Sequence, residues 1–504
     1  MTKATHAVTR DFSRRAAMKT TAMTHRHITI IMLLAVALAL PLYYGLRALA
    51  GAVSPALLAV TTTVYAPIVI GESIPKVSTT ETSTVTATAT KTSVSAATAT
   101  VTPTSTPSSP TGQNYNIAVG PGYTDVSPKQ LVRTSGNRLY SAVSNCEQYP
   151  CTDVAQTLRM YRADSIGVPS GFSLVDASHA PGAISQWAVA IDGGNTIHVV
   201  WNNRITSGGD LSSLRYTTFS TSTDTWSGSV ETIDTALNVA LDGGGQGMQS
   251  VALALDASGA AHVVYLKGNG INRRAYHRSR SGGVWSAATQ LDDGVTYANN
   301  QKAWHPNLAF DSSGKLLVVW ERGSFNGDND GTIYGRVRAA DGTWDSTVTI
   351  SGDNAARVVI DQSTSLLVTP DNRYHITWIA ATTDDIHYQY SDNGGQTWAT
   401  NNPGGGSQVS HNPSLGYAAG MLRIYAHGAP VPSPDGHGDN LYAFESSGGP
   451  AAWGGWTQLV TGTNYDSSIN VRWAQFFFAF PNTIDLAYWN DNYPNLLYAG
   501  TDIR

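Results

Sequence analysis

Charge is scarce in this chain of 504 residues: Asp, Glu, Lys and Arg supply 13% of it, about half of the ~25% typical of soluble proteins. The formal balance is −5 and the pI 6.2, and no basic face marks the repetitive part of the sequence, which excludes a general nucleic-acid binder. Cysteine is nearly absent. Cys146 and Cys151, in CEQYPC, are too few to complete a tetrahedral zinc site, and no HExxH-like histidine spacing compensates. In an exported chain the pair reads as a local disulfide, with two free thiols as the alternative. Glutamate is rare beyond residue 113, where only Glu147, Glu231, Glu321 and Glu445 occur, so few residues can enter a carboxylate pair. Long apolar runs are missing too, save one.

That run is Ile28–Leu46, ITIIMLLAVALALPLYYGL, uncharged and about long enough to cross a hydrocarbon core. Arg10, Arg14, Arg15, Lys19 and Arg26 precede it and only Arg47 follows closely, so the positive-inside rule keeps the N-terminus cytoplasmic and exports the rest. The alternatives are secretion after cleavage at RALAG (47–51) and a twin-arginine signal in SRRAAMK (13–19), where Ala17 stands in place of Phe. Ser and Thr fill 21 of the 34 positions from 78 to 111, where valine is the largest apolar residue, so burial cannot offset the entropy of ordering. The expected organisation is a basic cytoplasmic segment (1–27), a transmembrane anchor or signal (28–50), a disordered Ser/Thr/Pro-rich linker (51–113) and a folded head (114–504). The head is expected outside the cell, monomeric, tied to the membrane through the N-terminal helix.

The head repeats. An apolar strand, a polar turn and a second strand ending in an aromatic recur as AVAIDGGNTIHVVW (188–201), ALALDASGAAHVVY (252–265), NLAFDSSGKLLVVW (307–320), SLLVTPDNRYHITW (365–378), SLGYAAGMLRIY (414–425) and FFFAFPNTIDLAYW (476–489), with a fainter copy at 130–143. A third strand follows each, then a turn and an aromatic: Phe172, Trp226, Trp285, Trp344, Trp398 and Trp456, spaced by 54, 59, 59, 54 and 58 residues. Four strands at a steady period are the signature of a β-propeller, whose small sheets bury their faces only against one another. The expectation is an all-β, seven-bladed propeller in which NYNIAVGPGYTD (114–125) supplies the outer strand that the seventh unit lacks; six blades are the alternative.

SDNGGQTW (391–398) resembles the Asp-box, or BNR, turn of the sialidase superfamily: Ser391, Gly395, Thr397 and Trp398 match, and Asn393 stands at the aspartate position. STSTDTW (220–226), SRSGGVW (279–285) and RAADGTW (338–344) are weaker copies. The resemblance implies a structural blade corner on the face opposite the ligand site. It also implies a glycan-recognising surface module, with exo-sialidase-type hydrolysis of terminal acidic sugars and a protein-binding scaffold as alternatives. Sialidases hold the substrate carboxylate with three arginines and use a tyrosine–glutamate pair and an aspartate. Arg133 in QLVRTS aligns with the first arginine, although the flanking Phe and Ile-Pro of the family phrase are absent.

In such a wheel, connections leaving the second strand and leading into the first line the ligand face. There the sequence offers Glu321, Asp466 and Tyr465 as candidate catalytic groups. Arg204, Arg322, Arg472, Trp304, His305, Trp473 and Asp491 are candidate glycan-binding groups, guanidinium gripping carboxylate and aromatics stacking on sugar. No cofactor is required by this chemistry. NGDNDGTI (326–333) matches the first half of a calcium loop through Asn326, Asp328 and Asp330, without the final glutamate; a plain acidic loop is the alternative to a Ca²⁺ site.

Overall fold

The computed structural model describes residues 114–119, 131–145, 157–166, 171–179, 184–204, 211–239, 250–268, 272–297, 301–324, 331–352, 356, 364–380, 385–403, 409–418, 420–428, 440–446, 453–455, 457–461, 470–475, 483–490 and 495–502. The Ile28–Leu46 run and the Ser/Thr-rich segment lie outside them, as do Cys146, Cys151, Asn326, Asp328, Asp330, Tyr465, Asp466 and Asp491. Among the described residues no helix is long and apolar enough to cross a membrane.

The fold is an all-β propeller. Among the described residues the strands form seven antiparallel sheets, here lettered in chain order. Sheet A holds Leu131–Arg133, Arg138–Asn145, Thr157–Ile166 and Phe172–His179; sheet B holds Ile184–Ile191, Thr196–Arg204, Leu211–Ser220 and Glu231–Val239. Sheet C holds Val251–Leu255, Ala261–Lys267 and Arg274–Ser281, edged by Val284–Trp285 and Thr289–Gln290; sheet D holds Lys302–Phe310, Leu316–Gly323, Thr332–Arg338 and Val348–Thr349. Sheet E holds Ser365–Val368, Tyr374–Ile379, Ile386–Ser391 and Ala399–Thr400; sheet F holds Val409–Ala418, Met421–Gly428, Asn440–Ser446 and Thr457–Thr461. Sheet G combines Asn470–Gln475, Thr483–Asn490 and Asn495–Asp502 with Asn114–Val119, which pairs with Asn495–Asp502 as its outer strand.

The repeated phrase explains the local geometry. Its turn joins the first strand to the second, and the aspartate at its head accepts the backbone N–H groups two and four residues on: Asp192 from Gly194 and Thr196, Asp256 from Ser258 and Ala260, Asp311 from Ser313 and Lys315. The turn then needs one left-handed residue, and Asn137, Asn195, Gly259, Gly314, Asn372 and Gly420 supply it at φ between 63° and 82°.

Packing runs from sheet to sheet. One apolar cluster joins A to B, a second joins B, C and D, a third joins D to E and a fourth joins E to F. In sheets C, D and E a tryptophan after the third strand wedges the sheet onto its predecessor. Trp285 meets Tyr216 edge-on at 5.3 Å, Trp344 meets His277 at 5.1 Å, and Trp398 packs on the cluster containing Leu317 and Val337. In sheet F, Trp453 packs edge-on to Tyr388 at 5.0 Å; the expected Trp456 lies outside the described residues. The first strands of F and G touch, and G meets A across the seam. There the buried Asp485 accepts hydrogen bonds from Nε (3.0 Å) and from a terminal nitrogen of Arg133. Arg133, aligned in sequence with a substrate-binding arginine, therefore joins the first and last sheets; its remaining nitrogen bonds Asn137 in the adjoining turn.

The SDNGGQTW turn is closed on itself. Ser391 Oγ accepts from Gly395 N at 2.9 Å, Asn393 Oδ1 accepts from Thr397 N at 3.0 Å, and Asn393 Nδ2 donates to Thr397 Oγ1 at 2.8 Å. Asn393 therefore closes the turn through both its amide oxygen and its amide nitrogen. Gly394 and Gly395 have φ of 71° and 87°, and a Cβ at Gly395 would lie 3.1 Å from Val337. The turn packs sheet E onto sheet D.

Candidate functional site

The end of the wheel opposite the SDNGGQTW turn carries the starts of the first strands and the ends of the second. Four candidate residues meet there on two paired strands of sheet D. Trp304 lies across from Glu321 and Ala303 across from Arg322, and a bulge between Trp304 and Asn307 re-aims His305, which adopts a φ of 43°. The bulge turns the His305 ring onto the carboxylate: Nδ1 lies 2.8 Å from Glu321 Oε2, and the two side chains are 0% and 2% exposed. The other carboxylate oxygen accepts both the backbone N–H (3.0 Å) and the hydroxyl of Thr364, at the start of sheet E. Glu321 thus clamps sheet D to sheet E.

The same position in sheet B plays the same part, since Asn202 Nδ2 donates to Ser250 Oγ at the start of sheet C. A recurring contact of this kind belongs to the fold, and it leaves Glu321 closed to substrate. Glu321→Ala is expected to lower stability by about 1–3 kcal/mol, because it leaves the buried Thr364 N–H without this acceptor. A fall in the urea midpoint would show this; an unchanged midpoint would refute the clamp.

Trp304 is also committed. Its ring is buried, its indole N–H donates to Gly323 O at 2.9 Å, and the Arg273 guanidinium covers one face at 3.8 Å. It cannot serve as the sugar-stacking platform that its position in the sequence proposed. Arg273 in turn donates to Ala303 O at 2.9 Å, tying sheet C to sheet D. Arg322 is partly exposed, lies 5.3 Å over the Tyr334 ring, and donates to Thr296 O and Thr332 Oγ1. Arg204 ends the second strand of sheet B, and Arg472 and Trp473 lie in the first strand of sheet G.

Residues that the sequence reading passed over complete this end. Arg274 starts the third strand of sheet C, across from Lys267. Its guanidinium stacks 4.0 Å over the Tyr297 ring and comes within 3.8 Å of Asp292. Tyr297 donates its hydroxyl to Asp292 Oδ2 at 2.6 Å. Burial raises the Asp292 pKa despite the Tyr297 hydrogen bond and the Arg274 charge, and burial with the same carboxylate raises that of Tyr297. Nearby, Asp234 accepts from Tyr265 (2.6 Å) and Lys267 (3.0 Å); these bonds outweigh its burial and hold it below the usual carboxylate range. The signal in sequence was the doublet Arg273–Arg274 in a chain so poor in charge.

Lys267, Arg274, Lys302 and Arg322 therefore gather, each partly exposed, at one end of two neighbouring sheets. Asp234 and Asp292 offset two of these charges, and the set still presents cations to carboxylate or sulfate groups. Among the described residues no group of three or more His, Cys, Asp or Glu is placed to hold a metal ion.

No family model matches the chain, and no curated protein does. The solved structures similar to it include a polysaccharide lyase of the ulvan-lyase group (10% identity, 77% of this chain and 95% of that one, TM-score 0.48). They also include the Hadza microbial sialidase Hz136 (12%, 69% and 74%, 0.41) and the α-L-arabinofuranosidase Arb93A of Fusarium graminearum (11%, 78% and 98%, 0.43). These likenesses assign no residue a role.

Proposed function

We propose that the protein is a cell-surface propeller that recognises glycans bearing acidic groups, held away from the membrane by its Ser/Thr-rich segment. The clustering of Lys267, Arg274, Lys302 and Arg322 at one end of sheets C and D carries this reading. A seven-bladed wheel is part of it, supported by the succession of seven sheets and the Arg133–Asp485 seam. Binding of polygalacturonate and of a sulfated polysaccharide, with dextran as neutral control, tests it. The acidic chains are expected to bind, to weaken with salt, and to lose about tenfold or more in affinity in the Lys302→Ala/Arg322→Ala variant. Equal binding of dextran, or an unaffected double variant, would overturn it.

A second reading is a sialidase-type exo-glycosidase. The observation favouring it is the grouping of a phenol, a buried carboxylate and a guanidinium, with Tyr297 hydrogen-bonded to Asp292 beneath Arg274, although burial and the carboxylate hold the phenol proton more tightly than usual. Turnover of a fluorogenic sialoside that disappears in Tyr297→Phe would support it, and no turnover by the unaltered protein would remove it.

A further inference from the structure

Between sheets B and C, toward the end that carries the Asp-box-like turns, lies a cavity of about 260 Å³ walled by Asp192, His198, Tyr216, Ser229, Glu231 and Arg280. It falls just below the ~300 Å³ at which pockets for larger ligands begin, so it fits a single ring and not a chain. Its polar groups form two ordered sets. In the first, Asp192 Oδ2 lies 3.3 Å from His198 Nε2, and His198 Nδ1 lies 2.8 Å from the Tyr216 hydroxyl. Burial lowers the His198 pKa, and a neutral ring in this setting donates from Nε2 to Asp192 and accepts at Nδ1 from Tyr216. The tyrosine oxygen keeps its lone pairs as acceptors. In the second set, Glu231 is gripped by Arg280 at 2.7 and 3.0 Å and receives the Trp285 indole N–H at 2.9 Å. At the rim Ser227 and Ser229 are exposed, and Thr217 Oγ1 donates to Ser229 O at 2.7 Å.

This lining alternates donors and acceptors over a short span, as a ring carrying several hydroxyls requires. Two carboxylates against one guanidinium disfavour an anion. We propose that the cavity is a second binding site, for a single neutral polyhydroxylated ring, remote from the basic end of sheets C and D. The ring is either a free monosaccharide or the terminal unit of a neutral glycan.

Saturation-transfer NMR on the full chain tests this with the methyl glycosides of glucose, galactose and mannose, their neutral trisaccharides, and glucuronate as the charged control. At least one neutral ring is expected to saturate at about millimolar concentration, the range open to so few contact atoms, and glucuronate is not. Preference for the methyl glycoside identifies a free sugar, and preference for the trisaccharide a chain end; either supports the site. Tyr216→Phe is expected to weaken binding by about tenfold or more. Because Tyr216 is buried, Ser229→Leu serves as the second variant, blocking the mouth from an exposed position. Absence of saturable binding by every neutral probe, or binding undiminished in Ser229→Leu, overturns the proposal.

Discussion

Arg133→Met is expected to cost the protein about 3–5 kcal/mol, the loss that follows when one partner of a buried ion pair is removed. The size of the effect comes from burial. Arg133 and Asp485 are 4% and 0% exposed, so the carboxylate left behind loses its guanidinium while still buried at the seam between sheets A and G. The urea midpoint and the thermal midpoint should both fall. The decisive companion is Arg133→Met with Asp485→Leu. If the charge pair itself adds little beyond an apolar contact of similar volume, the double variant should recover most of the loss. Equal stability of Arg133→Met and the unaltered protein would mean that the wheel is not closed through this contact. Failure of the double variant to recover would mean that the geometry of the ion pair, and not only its neutralisation, sets the seam.

Acid should unfold the protein sharply. His262 and His277 lie against each other at 3.1 Å between strands of sheet C, His375 contacts Tyr388 at 2.6 Å, and His198 contacts Tyr216. Burial lowers all four pKa values, that of His262 to about 4 and that of His375 to about 3. The charged groups facing them do not reverse the shift. Asp256 faces His262, Asp371 faces His375 and Asp192 faces His198, each raising the pKa, while Arg338, Arg373 and Arg280 lower it.

A folded-state pKa below the unfolded value of 6.5 means that the unfolded chain takes up the proton first. Stability is therefore fully present above pH 6.5 and drains as the pH falls from there toward about 4 for His262 and about 3 for His375. Each imidazole contributes up to about 1.4 kcal/mol per pH unit across its window. Glu231, Asp234 and Asp256, with lowered pKa values, add to the same loss at lower pH. Far-UV circular dichroism across this range should show a steep acid limb, made shallower in His262→Leu/His277→Leu because two imidazoles no longer titrate on unfolding. An acid limb of unchanged slope in that variant would show that these histidines are not held neutral in the fold.

The sequence made the wheel readable for a physical reason. Strand pairs and turns repeat their own chemistry, so Asp192, Asp256 and Asp311 recur at the head of the same turn, and the wedge tryptophans return at nearly one spacing. The pairing of residues 114–119 with the last strand could be expected because the seventh unit was one strand short. What the phrase could not reveal was which polar strand ends face solvent. Glu321 and His305 look like ligand groups in one dimension, yet Thr364, more than forty positions away, turns the carboxylate inward. Arg133 was equally ambiguous until Asp485 stood beside it. Tyr297 and Asp292 carry no distinctive motif, and only the approach of Arg274 from sheet C marks them as a set.

The outer strand of sheet G sets a schedule for biosynthesis. Val119 leaves the ribosome about 375 residues before Asn495, its partner in the ladder. At about 5–20 residues per second, the Asn114–Val119 segment waits on the order of twenty to seventy seconds before anything can dock on it. Throughout that interval the nascent chain holds an unmatched row of backbone donors and acceptors at its front. Pairing of this segment therefore waits for the synthesis of Asn495–Asp502, whatever the speed with which each preceding hairpin forms.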